Sequence, residues 1–308
     1  MTLYQEHPWL LNLSLIDLKE MSRLVLGTAN FGNAYGVANR GETLSSQGTM
    51  DIVQWAQVNG INHFDTAIAY GQAVDLLGAN LDKALNPVID AKLDGESCQT
   101  SELIVLKTKE VLRRLGVDQL SVLYLHNENL LNTPIWSEIK RGLEEVLNLG
   151  LCKKIGVSVY SEESIAACKQ VVPNLSVFQV PENICDRRLF GSQKIEQLAS
   201  EGNSFLVRST FLQGLLLMEP DEIPEQLSGA VSGIQVFRNF AEEHSISRMN
   251  LCLAYANSIS WCEGIIVGVA SVAQLKEIVE CETDLPLEWD TLIPKLPVDI
   301  LDPRKWKL

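Results

Sequence analysis

Positive charge is scarce in this 308-residue chain: 25 Lys and Arg stand against 39 Asp and Glu, for a formal net charge of −14. The basic residues are scattered apart from a short KWKL end. An acidic surface repels phosphate backbones, which argues against nucleic acid as a partner. Long apolar runs are also missing. The longest, such as GIIVGVA (264–270), fall far short of the roughly 20 residues of a membrane span, so no membrane partner is expected. The N-terminal stretch MTLYQEHPWLLNLSLIDLKEM lacks the basic start and small-residue cleavage site of a secretory signal, and a cytoplasmic location is expected. Seven Cys are widely spread with no C-x-x-C among them. They read as reduced core thiols rather than disulfides or metal ligands. Only four His occur, and His126 has no partner at metal-ligand spacing, so no metal site is expected. No Pro/Ser/Gly-rich linker divides the chain, which favours one continuous domain.

Against these absences stands a rhythm. The chain is 46% apolar, and after the first twenty residues short apolar runs alternate with amphipathic stretches. Strands are expected at 23–28, 61–67, 87–93, 119–126, 153–160, 175–181, 203–209 and 264–270. Helices are expected at 45–60, 73–85, 101–116, 137–150, 161–172, 187–202, 232–244, 249–258 and 271–280, several closing at a Gly and one capped by Ser161. Repeated strand–helix units argue for a parallel sheet, and eight of them close a (β/α)8 TIM barrel, an α/β fold in a single domain. An open doubly wound sheet is the alternative. Its G-x-G-x-x-G fingerprint does not fit Gly27, Gly32 and Gly36.

Active sites of such barrels lie at the C-terminal ends of the strands. Asp65 lies near the end of the second expected strand, with Tyr70 in the loop beyond; Lys92 lies near the end of the third, and His126 ends the fourth. Singly, each has a bland reading: a turn cap, a rim aromatic, a solvated strand end, a satisfied core histidine. Together they form a reaction set. A Tyr hydroxyl titrates near ~10, and a neighbouring ammonium is expected to lower that value. Tyr70 is then the general acid for a carbonyl that receives hydride, Lys92 tunes it, Asp65 holds Lys92, and His126 orients the carbonyl. None of the four donates hydride, so a nicotinamide cofactor must.

The motifs FDTAIAYG (64–71), DAKLD (90–94) and LYLHNEN (123–129) resemble those of the aldo-keto reductase superfamily, over about residues 23–280. The resemblance implies a (β/α)8 barrel, a tetrad at Asp65, Tyr70, Lys92 and His126, and an NAD(P)-dependent oxidoreductase acting on an aldehyde or ketone. It further implies cofactor contacts from Gly27 and Thr28, Ser158 in GVSVY, and Gln179 in VFQVPEN, with Asn183 following. Val159 stands where the family has an Asn. Arg208 stands where many members stack an aromatic on nicotinamide, and a guanidinium plane can stack too. Ser209, Phe211, Gln213 and Gly214 would line the pyrophosphate side. In IIVGVASVAQLKE, Gly268, Ser271 and Gln274 would wrap the adenosine end, with Lys276 nearby and Ala270 in place of an Arg. The superfamily's habit favours NADP(H), with NAD(H) the alternative. Some motifs also resemble a bacterial branch associated with sugar and surface-polysaccharide biosynthesis, which points to a keto-sugar or related polar carbonyl.

Residues 1–20 are expected to form an added arm, 21–290 the barrel and 291–308 a tail. Tyr35, Glu128, Trp136 and residues 215–230 are candidates for the substrate pocket, and a monomer or small homo-oligomer is expected. Two other readings stand beside reductase: a non-catalytic nicotinamide-binding regulatory protein on the same fold, and a barrel lyase or metal-dependent hydrolase.

Overall fold

A computed structural model describes residues 23–39, 43–281 and 284–306. The arm expected over residues 1–20 lies outside the described residues. Eight strands, β1 (Leu24–Gly27), β2 (His63–Ala67), β3 (Val88–Leu93), β4 (Leu120–Leu125), β5 (Cys152–Ser158), β6 (Leu175–Pro181), β7 (Ser204–Arg208) and β8 (Cys262–Gly268), pair in sequence order. All pairs are parallel, and β1 also pairs with β8, so the sheet closes. The expected (β/α)8 barrel is therefore what forms.

Helices cover the outside: α1 (Ser46–Val58), α2 (Ala73–Asn80), α3 (Ser101–Leu115), α4 (Trp136–Asn148), α5 (Glu162–Val171), α6 (Gln193–Ser200), α7 (Val231–Glu243), α8 (Arg248–Ser258), α9 (Val272–Val279) and the one-turn α10 (Trp289–Leu292). Local chemistry starts and stops them. Thr100 accepts the amide of Leu103 at the head of α3, and Ser161 accepts that of Ser164 at the head of α5. Two expected helices are shorter than the pattern implied. The one expected over 187–202 begins only at Gln193, because Arg188 is forked onto Asp186 and the Leu189 amide donates to Glu182. The one expected over 73–85 ends at Asn80 and resumes as a single tight turn capped by Asp82.

Strand alternation sorts the core into two layers. Leu26, Phe64, Ala91 and Leu123 face the helices in the large outer core. Val25, Val122, Tyr124, Val177 and Leu206 form a smaller cluster of their own in the barrel interior. The fully buried Tyr124 ring fits there because β5 carries Gly156: a Cβ at that position would lie 2.6 Å from both a Tyr124 ring carbon and the Val177 carbonyl oxygen. All seven Cys are free thiols, six of them buried. Part of the C-terminal segment packs onto the barrel. Ile293, Leu296, Ile300 and Leu301 are buried, and the Leu296 amide donates to the Cys185 carbonyl.

Candidate active site

The same alternation builds the site. In β2 the side chain of Phe64 goes outward and that of Asp65 inward; in β3 Ala91 goes outward and Lys92 inward. Register brings the strands level, with Asp65 opposite Asp90 and Ala67 opposite Lys92. The ladder runs one step past each strand end. The Ile68 amide donates to the Lys92 carbonyl at 3.1 Å, and the His126 amide to the Leu93 carbonyl at 2.9 Å. His126 is thereby fixed just beyond β4, where a lone histidine would otherwise need a packing role. The Tyr70 amide donates to the Ala67 carbonyl at 3.1 Å, turning the chain back over the barrel mouth. Gly71 completes that turn with φ 58°; a side chain there would be strained and would meet Asn33 at 2.6 Å.

The four side chains converge. The Lys92 ammonium donates to Asp65 Oδ2 in a buried ion pair. Gln179 Nε2 donates to Asp65 Oδ1 at 2.6 Å. Lys92 Nζ lies 5.3 Å from the centroid of the Tyr70 ring, and that ring meets His126 edge-on at 5.6 Å. Asp65 itself is anchored through its carbonyl, which accepts both the amide and the hydroxyl of Thr28.

They line a cleft of about 680 Å³, in the range of small-molecule and cofactor sites. Each of the eight strands contributes a residue: Gly27, Ser158, Arg208 and Gly268 end their strands, Lys92 stands one residue before the end of β3, Asp65 and Gln179 stand two before the ends of β2 and β6, and His126 follows β4 directly. Ser209, Phe211, Gln213, Gly214 and Gln274 line it as well. The stretch after β7 is unusual in backbone: Ser209, Leu212 and Gln213 all sit at positive φ without being Gly. Such conformations cost about 1–3 kcal/mol each and persist where surroundings impose them. Here Asn183 Nδ2 donates to the Ser209 carbonyl, and the Leu212 amide turns back to the same oxygen.

Other expected residues lie away from the cleft wall. Thr28 and Ser271 are not among the residues lining the cleft: Thr28 is fully buried holding Asp65, and Ser271 accepts the Gln274 amide as the cap of α9. The Lys276 ammonium lies 5.9 Å from the Trp55 ring centroid, turned toward α1. Of the substrate candidates, Tyr35 and, within 215–230, Leu217 line the cleft. Trp136 stands exposed at the head of α4, and Glu128 lies behind Arg304 at 4.0 Å. The acidity of Tyr70 also runs against expectation. Burial pushes its phenol well above the ordinary value, the Asp65 carboxylate pushes it further, and Arg208 pulls back. The expected acidification by Lys92 is outweighed by burial and by the Asp65 carboxylate. Tyr70 therefore holds its proton throughout the neutral range, as a proton donor must. His126 is driven down to about 4, by burial first and then by Lys92 and Arg208, so it is a neutral imidazole at pH 7.

Other lining residues had escaped the sequence reading: Asn30, Asp94, Asn127, Tyr160, Glu277 and Arg304. Tyr160, two residues after Ser158, was within reach of strand alternation. Arg304 was not, since only the packing of the C-terminal segment brings it to the mouth. There it stacks 3.4 Å from the Tyr160 ring centroid, while Arg208 lies 4.3 Å from that centroid. Among the described residues, no group of three His, Cys, Asp or Glu side chains is placed to hold a metal ion, and no helix is long and apolar enough to cross a membrane.

The model of the aldo/keto reductase family matches residues 23–289. The chain belongs to the aldo/keto reductase family. It is 22% identical to a probable voltage-gated potassium channel subunit beta of Arabidopsis thaliana, over 89% of this chain and 93% of that one. It is likewise 22% identical to a D-arabinose 1-dehydrogenase of Saccharomyces cerevisiae, over 84% and 82%. A crystal structure of a thermostable aldo-keto reductase in complex with the inhibitor epalrestat superposes with a TM-score of 0.68 at 20% identity, covering 88% of this chain and 93% of that one. That superposition supports the fold. Membership makes this chain one of a family of oxidoreductases.

Proposed function

We propose that this aldo/keto reductase reduces an aldehyde or ketone with hydride from a nicotinamide dinucleotide, using Tyr70 as general acid. The observation that carries the reading is the buried Asp65–Lys92 pair set beneath Tyr70 and His126 where eight strand ends meet. A carbonyl oxygen held between the Tyr70 hydroxyl and the neutral His126 ring receives two hydrogen bonds. Negative charge grows on that oxygen as hydride adds to carbon, and donors already in place stabilise it without rearranging. The Tyr70 proton then completes the alcohol. Lys92, held by Asp65 and 5.3 Å from the centroid of the Tyr70 ring, supplies a positive neighbour once the proton has left.

The residues present fit a nicotinamide dinucleotide. Gln179 Oε1 is buried with no hydrogen-bond partner among the described atoms, although its amide nitrogen is bound to Asp65. A carboxamide N–H is the donor such an oxygen lacks. Gly27 and Gly268 leave the β1–β8 wall without side chains; a Cβ on Gly27 would lie 3.0 Å from Ile266. The cofactor would supply the hydride, held by Ser158, Gln179 and Arg208 at its nicotinamide end, by Ser209, Phe211 and Gln213 along its length, and by Gln274 toward the adenosine. The substrate side, walled by Tyr35, Asp94, Asn127, Tyr160 and Arg304, mixes aromatic faces with hydrogen-bonding groups. Such a wall suits a polar, hydroxylated carbonyl compound such as a keto-sugar.

Titration with NADPH and NADH, followed by Trp fluorescence, combined with turnover on a panel of aldehydes and keto-sugars, tests the reading. Saturable binding with turnover is expected. Tight binding without turnover on any of the panel would favour a nucleotide-binding regulator, and no binding of either dinucleotide would remove the proposal.

A further inference from the structure

Among the described residues, three cations line the cleft: Lys92, Arg208 and Arg304. Two are matched by carboxylates. Lys92 is paired with Asp65. Arg304 is forked onto Asp302 at 2.8 and 2.9 Å, with Glu128 at 4.0 Å on its other side. Arg208 differs. Its N–H groups go to the Ser158 hydroxyl at 3.1 Å, the Ser209 hydroxyl at 3.4 Å and the Val159 carbonyl at 3.4 Å, all neutral acceptors. No carboxylate of the described residues forms an ion pair with it. It is held in place by those three contacts and by the Tyr160 ring, so its charge is positioned with no carboxylate at ion-pair distance, and Glu128 and Asp186 sense it only from farther off.

We infer that Arg208 biases the site electrostatically toward reduction, favouring negative charge on the reacting oxygen and disfavouring the cationic, oxidised nicotinamide. The inference rests on the reading of the cleft as a nicotinamide site and adds a direction to it. In the reduction, a hydride with its electron pair leaves the neutral dihydronicotinamide ring and bonds to the carbonyl carbon. The C=O π pair moves to oxygen, and that oxygen takes the Tyr70 proton; solvent later returns a proton to Tyr70. The carbonyl compound is reduced, and the nicotinamide is oxidised to a pyridinium bearing one positive charge. With the nicotinamide bound at the Arg208 end of the cleft, the fixed guanidinium would face a neutral reactant and a cationic product, and like charges at close range in a partly buried cleft repel. A neutral aromatic in the same place would shield the ring from water without this asymmetry. The reach of the charge is visible in its neighbours: Arg208 opposes the upward push on the Tyr70 phenol and helps hold His126 low.

The test is equilibrium binding, not activity. The full chain is titrated with NADPH and NADP+, and with NADH and NAD+, as wild type, Arg208→Gln and Arg208→Lys. Wild type should bind the reduced form about tenfold or more tighter than its oxidised partner. Arg208→Gln should shrink that ratio by about fivefold or more, and Arg208→Lys should keep most of it, since it retains the charge. A wild-type ratio near one overturns the inference whatever the variants do. So does an Arg208→Gln protein that loses affinity for both forms equally, the result expected if the side chain only shapes the pocket. Failure of wild type to bind any of the four nucleotides would instead remove the nicotinamide reading beneath it.

Discussion

Replacing Glu182 by Gln should remove a pH-dependent loss of stability from the barrel. Glu182 follows β6 and is fully buried; one carboxylate oxygen accepts the Leu189 amide at 3.1 Å, the other the Tyr255 hydroxyl. Burial drives its carboxyl up to about 8, with Asp186 adding to the shift and Tyr255, the Leu189 amide and Arg188 opposing it. An unfolded Glu titrates near ~4.3. Between those values the folded protein holds a proton that the unfolded chain has lost, so stability falls as pH rises through the window, at up to about 1.4 kcal/mol per pH unit. From pH 5 to pH 8 the loss is on the order of 3–4 kcal/mol. At about 2 °C per kcal/mol for a chain of this size, that is a shift of about 6–8 °C in the unfolding midpoint. Gln copies the shape of the protonated acid and does not titrate. Thermal melts of both proteins at pH 5, 6, 7 and 8 should therefore nearly coincide at pH 5 and diverge upward, with Glu182→Gln several degrees more stable at pH 8. A constant offset at every pH would refute the reasoning, because it would mean that packing rather than ionisation sets the difference.

Three further outcomes follow from the site and its supports. Asp65→Asn leaves the Lys92 ammonium buried without its counter-ion and should cost about 3–5 kcal/mol, read from urea denaturation, besides lowering turnover. Gly156→Ala forces a methyl group against Tyr124 and the Val177 carbonyl and should destabilise by about 1–3 kcal/mol in the same assay; an unchanged midpoint would show that Tyr124 can yield. His126 should show no NMR titration near pH 6.5 and should protonate only as pH approaches 4. Because its folded value is depressed, its contribution to stability is lost as pH falls from 6.5 toward 4, and kcat/KM should carry no His126 inflection between pH 5.5 and 7.5.

How much of this was legible in the residues depends on the distance over which each feature is decided. The eight strands are local, and their apolar runs announce them. Asp65, Lys92 and His126 were legible because strand alternation and strand ends determine where they point. The head of α6 was not, because Arg188 and Leu189 are claimed by Asp186 and Glu182 rather than by a helix. The bond from the Thr28 hydroxyl to the Asp65 carbonyl was not legible either, because its acceptor stands 37 residues further along the chain. Arg304 reaches the cleft only through the packing of Ile293, Leu296 and Ile300, which no period in the chain records. The acidity of Tyr70 is set first by burial and then by the Asp65 carboxylate, and burial is a property of the packed barrel rather than of a motif.

The central claim is that Tyr70 hands its proton to the carbonyl oxygen. Oxidation of NADPH or NADH, whichever binds, is followed at 340 nm with the best aldehyde or keto-sugar of the panel, for wild type and Tyr70→Phe, alongside cofactor affinity by fluorescence. The account predicts a loss of kcat of about 10²–10⁴-fold in Tyr70→Phe with the cofactor Kd nearly unchanged. Turnover within a few-fold of wild type, or a large loss of cofactor affinity instead, would contradict it.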